Sequence, residues 1–217
     1  SNGAFKNCNS LKQVTLPDNL KTLPQNTFEG CSSLEEAEFG SDSAVLETIG
    51  SWAFKGCSSL QGAAMPASLK TIGEGAFSGC SGLEEVSLND GLETIGKAAF
   101  DGAAFGKQEL TGIVNGTLRI PGSVRSIGGA AFRNSAYLET VTFENGTEEL
   151  VMDSSYDYSS SNGAFKNCNS LKQVTLPDNL KTLPISTFEG CSSLEEVRFG
   201  SGLETIGSWA FKGCSSL

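Results

Sequence analysis

The sequence predicts a repeat solenoid: a stack of 23-residue coils with a parallel β-sheet along one face and short turns, 3₁₀ or helical pieces along the other. Three observations predict it. Phenylalanine recurs at Phe5, Phe28, Phe54, Phe77, Phe100, Phe132, Phe165, Phe188 and Phe211, with spacings of 23, 26, 23, 23, 32, 33, 23 and 23. Between successive phenylalanines the same apolar order returns, so Cys8, Leu11, Val14, Leu16 and Leu20 correspond to Cys80, Leu83, Val86, Leu88 and Leu92. Each unit also contains one short alternating segment, closed in several units by proline.

That segment is the strand. Val14 and Leu16 alternate with Gln13 and Thr15, and Pro17 lacks the N–H that would continue a ladder. Leu20 and Leu23 then carry the chain back across the coil, and Thr27 and Phe28 open the next unit. Stacking is obligatory, because about six apolar side chains do not offset the ordering of a whole coil's backbone. A lone repeat should not fold.

Residues 1–217 read as a single domain of about eight to nine repeats, with insertions near 41–43, 103–116 and 144–161. The second insertion precedes a strand and the third follows one, so the two should project from opposite rims of the sheet. A longer period lies on top of the short one. Ser1 to Pro24 is identical to Ser161 to Pro184, and Leu46 to Leu60 to Leu203 to Leu217. Packing does not demand identity at exposed positions, so a block of repeats has been duplicated, and the native array is expected to extend beyond this stretch.

The pattern resembles the leucine-rich repeat of the BspA-like, or Treponema-type, surface proteins, whose unit runs L-x-x-V-x-L-P-x-x-L-x-x-I-G-x-x-A-F-x-x-C. Leu60, Pro66, Leu69, Ile72, Gly73, Ala76, Phe77 and Cys80 fall in register with it. Ala103 and Ser135 depart from it at the cysteine slot, in the two units that carry the long insertions. The resemblance implies a leucine-rich-repeat horseshoe or superhelix, secreted or on the cell surface. It also implies adhesion to surface or matrix proteins of a host or of neighbouring cells. A passive spacer holding another domain away from the cell is the alternative.

Charge narrows the partners. Fifteen basic against twenty-five acidic residues leave a net −10, which repels a phosphate backbone, so no nucleic acid partner is expected. No apolar run is long enough to span a bilayer, so membrane insertion of this stretch is not expected either. The sequence holds no histidine, which removes the usual general base and the commonest metal ligand. With no nucleophile and base in view, no catalysis, metal or cofactor is expected. The seven cysteines each lie three residues after a repeat phenylalanine, and we read them as small, buried, reduced side chains in a column. Gly91 to Ala98 nearly spells a phosphate-binding loop, yet Ala98 lacks the required hydroxyl, and the same G-L-E-T-I-G at Gly202 to Gly207 marks it as the repeat's turn.

Strand alternation assigns the outward residues. Candidate ligand contacts on the sheet face are Gln13, Thr15, Glu36, Glu38, Glu85, Ser87, Arg119, Thr140, Thr142, Gln173, Thr175, Glu196 and Arg198, around a low patch at Gly62 and Ala64. That face has no aromatic anchor. Tyr156 and Tyr158, in the third insertion, are the other candidates, because rigid amphipathic rings on loops suit interfaces. Trp52 and Trp209 occupy equivalent slots and are expected to cover the back of the solenoid. The apolar interior at each end suggests end-to-end self-association.

Overall fold

The computed structural model describes residues 2–41, 43–106, 116–153 and 162–217. Every coil places one longer strand on a front face and one two-residue strand on a back face. The front strands are β1 (Gln13–Thr15), β3 (Glu36–Glu38), β5 (Gly62–Ala64), β7 (Glu85–Ser87), β9 (Thr117–Ile120), β11 (Thr140–Phe143), β13 (Gln173–Thr175) and β15 (Glu196–Arg198). The back strands are β2 (Thr22–Leu23), β4 (Thr48–Ile49), β6 (Thr71–Ile72), β8 (Thr94–Ile95), β10 (Ser126–Ile127), β12 (Val151–Met152), β14 (Thr182–Leu183) and β16 (Thr205–Ile206).

All pairings between these strands are parallel, and the register follows the repeat: Gln13 opposite Glu36, Thr48 opposite Thr71, Gln173 opposite Glu196. The back strands form the longer ladder. Strands β2 to β12 make one six-stranded sheet, and the Leu150–Leu180 bridge carries it on towards β14. The remaining arc of each coil is tight turn, with neither helix nor 3₁₀ segment among the described residues. In every coil but that of Phe165, two positions on either side of the repeat phenylalanine adopt left-handed backbone, as at Asn26 and Gly30 or Trp52 and Gly56. At Gly75 the φ is +56° and an added Cβ would lie 2.6 Å from Cδ1 of Trp52, so glycine there lets the indole pack close. Trp52 is thus half-buried against the following coil, while Trp209 is exposed beneath the Lys212 ammonium, 5.3 Å from its ring.

Two columns hold the stack. The nine repeat phenylalanines lie ring on ring, with centroids 5.0 to 5.6 Å apart and planes within 17° of parallel. Beside them, six of the seven thiols donate to the carbonyl oxygen of the phenylalanine one coil back: Cys31 to Phe5 at 3.0 Å, Cys57 to Phe28 at 3.2 Å, Cys80 to Phe54 at 3.1 Å. The later coils repeat the bond, from Cys168 to Phe132, Cys191 to Phe165 and Cys214 to Phe188. All seven cysteines are free. Burial pushes the Cys57 thiol up to about 12 and that of Cys214 to about 11, and the neighbouring thiol adds to both. Complete burial of the column does not hold, because Cys8 in the first coil is exposed and Cys214 is half-buried. Ser135 occupies the same slot, fully buried, with no partner for its hydroxyl among the described residues.

One interruption matters for the face. Ala104 and Gly106 donate their N–H groups to the carbonyls of Leu83 and Glu84, at 3.0 and 3.1 Å. The second insertion therefore begins by wedging between coils instead of leaving directly from the rim. Strands β7 and β9 do not pair, and a cleft of about 210 Å³ separates them, lined by Glu85, Ser87, Phe105 and Arg119 among others. Behind it the back sheet and the phenylalanine column run on unbroken, Phe100 to Phe132 lying 5.4 Å apart.

Candidate front-face binding site

Alternation places every strand residue predicted from sequence on the front. Gln13, Thr15, Glu36, Glu38, Glu85, Ser87, Arg119, Gln173 and Arg198 are exposed, while Thr140, Thr142, Thr175 and Glu196 are half-buried. Their partners on the inward side, Ala37, Leu118, Val141 and Val174, are buried. Tyr156 and Tyr158 lie outside the described residues.

The structure divides these side chains into two groups. Across β1 to β7 runs an open trough of about 1120 Å³. Its floor is β5, whose outward residues Gly62 and Ala64 are the smallest on the front strands. Its lining includes the carboxylates of Asp18, Glu35, Glu36, Glu38 and Glu85, and no lysine or arginine. Glu36 accepts from the Gln13 amide at 2.9 Å and Glu38 from the Thr15 hydroxyl at 2.8 Å. Lys12 reaches Glu35, at 3.5 Å. Among the described residues no basic group pairs with Glu36, Glu38 or Glu85.

Across β9 to β15 the charges neutralise one another. Arg119 forms a two-pronged contact with Glu144, at 2.5 and 2.6 Å, and also reaches Asp90 at 2.6 Å. These hydrogen bonds, Glu144 first, raise the guanidinium above its ordinary value. Arg198 donates to Glu196 at 2.7 Å, and Lys172 pairs with Glu139 at 3.1 Å. Sequence reading missed the pairs between coils, since 25 residues separate Arg119 from Glu144 and only stacking brings them together. The spacing of one coil is the signal that finds them.

The rim repeats a structural device. Asp18 accepts from the backbone N–H and hydroxyl of Ser41, at 2.6 and 2.8 Å. Asp178 does the same with Ser201 and also accepts from the amide of Asn145. In both, the backbone N–H contributes most to holding the carboxyl below its usual range, followed by the serine hydroxyl. The phosphate-loop look-alike is structural too, since Thr94–Ile95 is a back strand of the coil. Among the described residues no group of three or more potential ligands converges to hold a metal ion.

Stacked parallel coils with a polar strand face and an interior of leucine, phenylalanine and cysteine define a leucine-rich-repeat protein. The chain belongs to the BspA type leucine rich repeat family, whose profile matches residues 1–115 and 104–217 in six copies. No curated protein matches it. Among solved structures it is similar to a leucine-rich repeat protein from Bacteroides ovatus, at 22% identity and a TM-score of 0.50, over 95% of this chain and 73% of that one. It is also similar to the pneumococcal vaccine antigen PcpA, at 21% identity and a TM-score of 0.55, over 91% of this chain and 47% of that one. A leucine rich cell surface protein from Faecalibacterium prausnitzii aligns at 23% identity and a TM-score of 0.49, over 99% of this chain and 60% of that one. No helix among the described residues is long and apolar enough to cross a membrane.

Proposed function

We propose that the chain is a non-catalytic protein-binding module, displayed on the cell surface or secreted, that adheres to surface or matrix proteins of a host or of neighbouring cells. The observation that carries the reading is the trough across β1 to β7, an extended concavity in which Glu36, Glu38 and Glu85 have no basic partner among the described residues. Membership of a repeat family and the description of PcpA as a vaccine antigen support the setting. The front strands offer no outward aromatic ring, so affinity per site is modest and gains from repetition along an array. That same lack of aromatic anchors favours the second reading, a passive spacer. Immobilised chain probed with a panel of matrix and cell-surface proteins separates the two. Saturable binding at about micromolar concentrations supports the module, and no binding at that sensitivity overturns it in favour of the spacer.

A further inference from the structure

The trough has a shape as well as a charge. Glu36 and Glu38 on β3 form one wall and Glu85 and Ser87 on β7 the other, with Gly62 and Ala64 between them. Strand β5 pairs with β7 but lies beside β3 without pairing with it; with adjacent strands about 4.8 Å apart or somewhat more, the walls stand at least roughly 10 Å from each other across β5. That width accepts one extended polypeptide lying along the strand direction. Glu36 and Glu38, two residues apart on one strand face, are separated by about 6.6 Å, which is also the repeat of same-side residues in an extended chain. The carboxylates are spread over two walls and do not converge, and the described residues offer no cluster that would hold a metal ion. A single small cation would therefore engage one of them at a time, whereas a chain of matched spacing engages several.

Resting on the reading of this chain as a protein-binding module, we propose that the β1 to β7 trough takes an extended segment of a partner protein carrying arginine or lysine at alternate positions. Its basic side chains meet Glu36, Glu38 and Glu85, and its backbone lies over Gly62 and Ala64. The duplicated segment supports the assignment by contrast. Its strand β15 carries Arg198 where β3 carries Glu38, and Arg198 already holds Glu196. On the same coil of the duplicate the charge is thus self-neutralised, and the charge left open on β3 is not demanded by the fold.

The test uses the full chain and a labelled synthetic peptide in which arginine and threonine alternate, followed by fluorescence anisotropy. An isomeric peptide with its arginines contiguous is the control. One variant removes charge: Glu36→Gln, Glu38→Gln and Glu85→Gln together. A second fills the floor at constant charge: Gly62→Gln with Ala64→Thr, the side chains that β1 already carries. An added Cβ at Gly62 meets only the Glu85 carbonyl, at 3.9 Å, so this variant should fold and its melting temperature reports that it does. The alternating peptide should bind wild type better than its isomer, and each variant should weaken it about tenfold or more. Equal binding of the two peptides, or full binding by the filled variant, overturns the proposal in favour of unspecific charge attraction. Calcium displacing the peptide at stoichiometric amounts overturns it in favour of a cation site. A chain that captures surface proteins from the panel but ignores the peptide sinks this inference and leaves the protein-binding function standing; failure in both assays sinks both.

Discussion

In β3, Glu36 and Glu38 flank Ala37 and lean on Gln13 and Thr15 of the coil before. In the duplicate, β15, Glu196 and Arg198 flank Val197 and bond each other, while the preceding Gln173 and Thr175 repeat Gln13 and Thr15 unchanged. Most of each surrounding segment is shared, and the interior is the same: Leu34 and Leu194 are buried alike, and Cys31 and Cys191 donate to the phenylalanine carbonyls one coil back. Two copies of one segment with the same interior and different surfaces show that the core sets the coil and leaves the front free to diverge. The wedge at Ala104–Gly106 marks the seam on the front, while the back ladder and the ring column cross it without a break.

The severest way to break the comparison is at that crossing. Phe100→Ala removes a fully buried ring between Phe77 and Phe132, and should lower stability by about 3–5 kcal/mol. Chemical denaturation should then show two transitions, as the halves uncouple; a single unshifted transition would mean that the column does not join them. Next in size is an exchange of surfaces. Glu38→Arg should give the first half the self-paired strand of the second and weaken the alternating basic peptide about tenfold, with the melting temperature little changed. Affinity that survives the exchange would show that the two faces do not differ in function.

A smaller effect sharpens the interior side. Ser135 stands buried and unpartnered where other coils place a donating thiol, so Ser135→Cys should raise stability by about 1 kcal/mol in thermal or denaturant unfolding. No gain would mean that the thiol bond adds nothing to the column. The smallest effect is a pH dependence common to both halves. The Asp18 and Asp178 carboxyls are held below 3.8 in the folded chain, so their contribution is fully present above that value and is lost as pH falls through the folded one. Asp18→Asn and Asp178→Asn should each flatten the acid limb of the stability curve by a similar small amount. Unequal slopes would show that the rims have diverged like the faces.

Period, strand positions and inward residues were legible in the sequence because each depends on residues within a single unit. Leu11, Val14 and Leu16 declare the front strand wherever they recur, and alternation then orients Gln13 and Thr15. The back ladder was not legible, because two residues such as Thr48–Ile49 carry no periodicity and become a strand only when Thr22–Leu23 and Thr71–Ile72 lie alongside. Thiol bonds and ion pairs escaped for the same reason: Cys57 and Phe28 are 29 residues apart. The trough was half legible. Gly62 and Ala64 announce a low patch, but its walls belong to neighbouring coils.

The ring and thiol columns also bear on how such a gene can change. Coil after coil presents a phenylalanine ring and its carbonyl to the next, and receives the next thiol in return. A recombination event that adds or removes whole coils in frame therefore creates no unfamiliar junction: the new neighbours meet ring to ring and thiol to carbonyl, as the old ones did. The repeated Ser1 to Pro24 segment is the trace of such an event. Array length is consequently a heritable variable under weak structural constraint. Each added copy supplies a fresh outer surface on which mutation can act, and Arg198 in the place of Glu38 is one substitution of that kind.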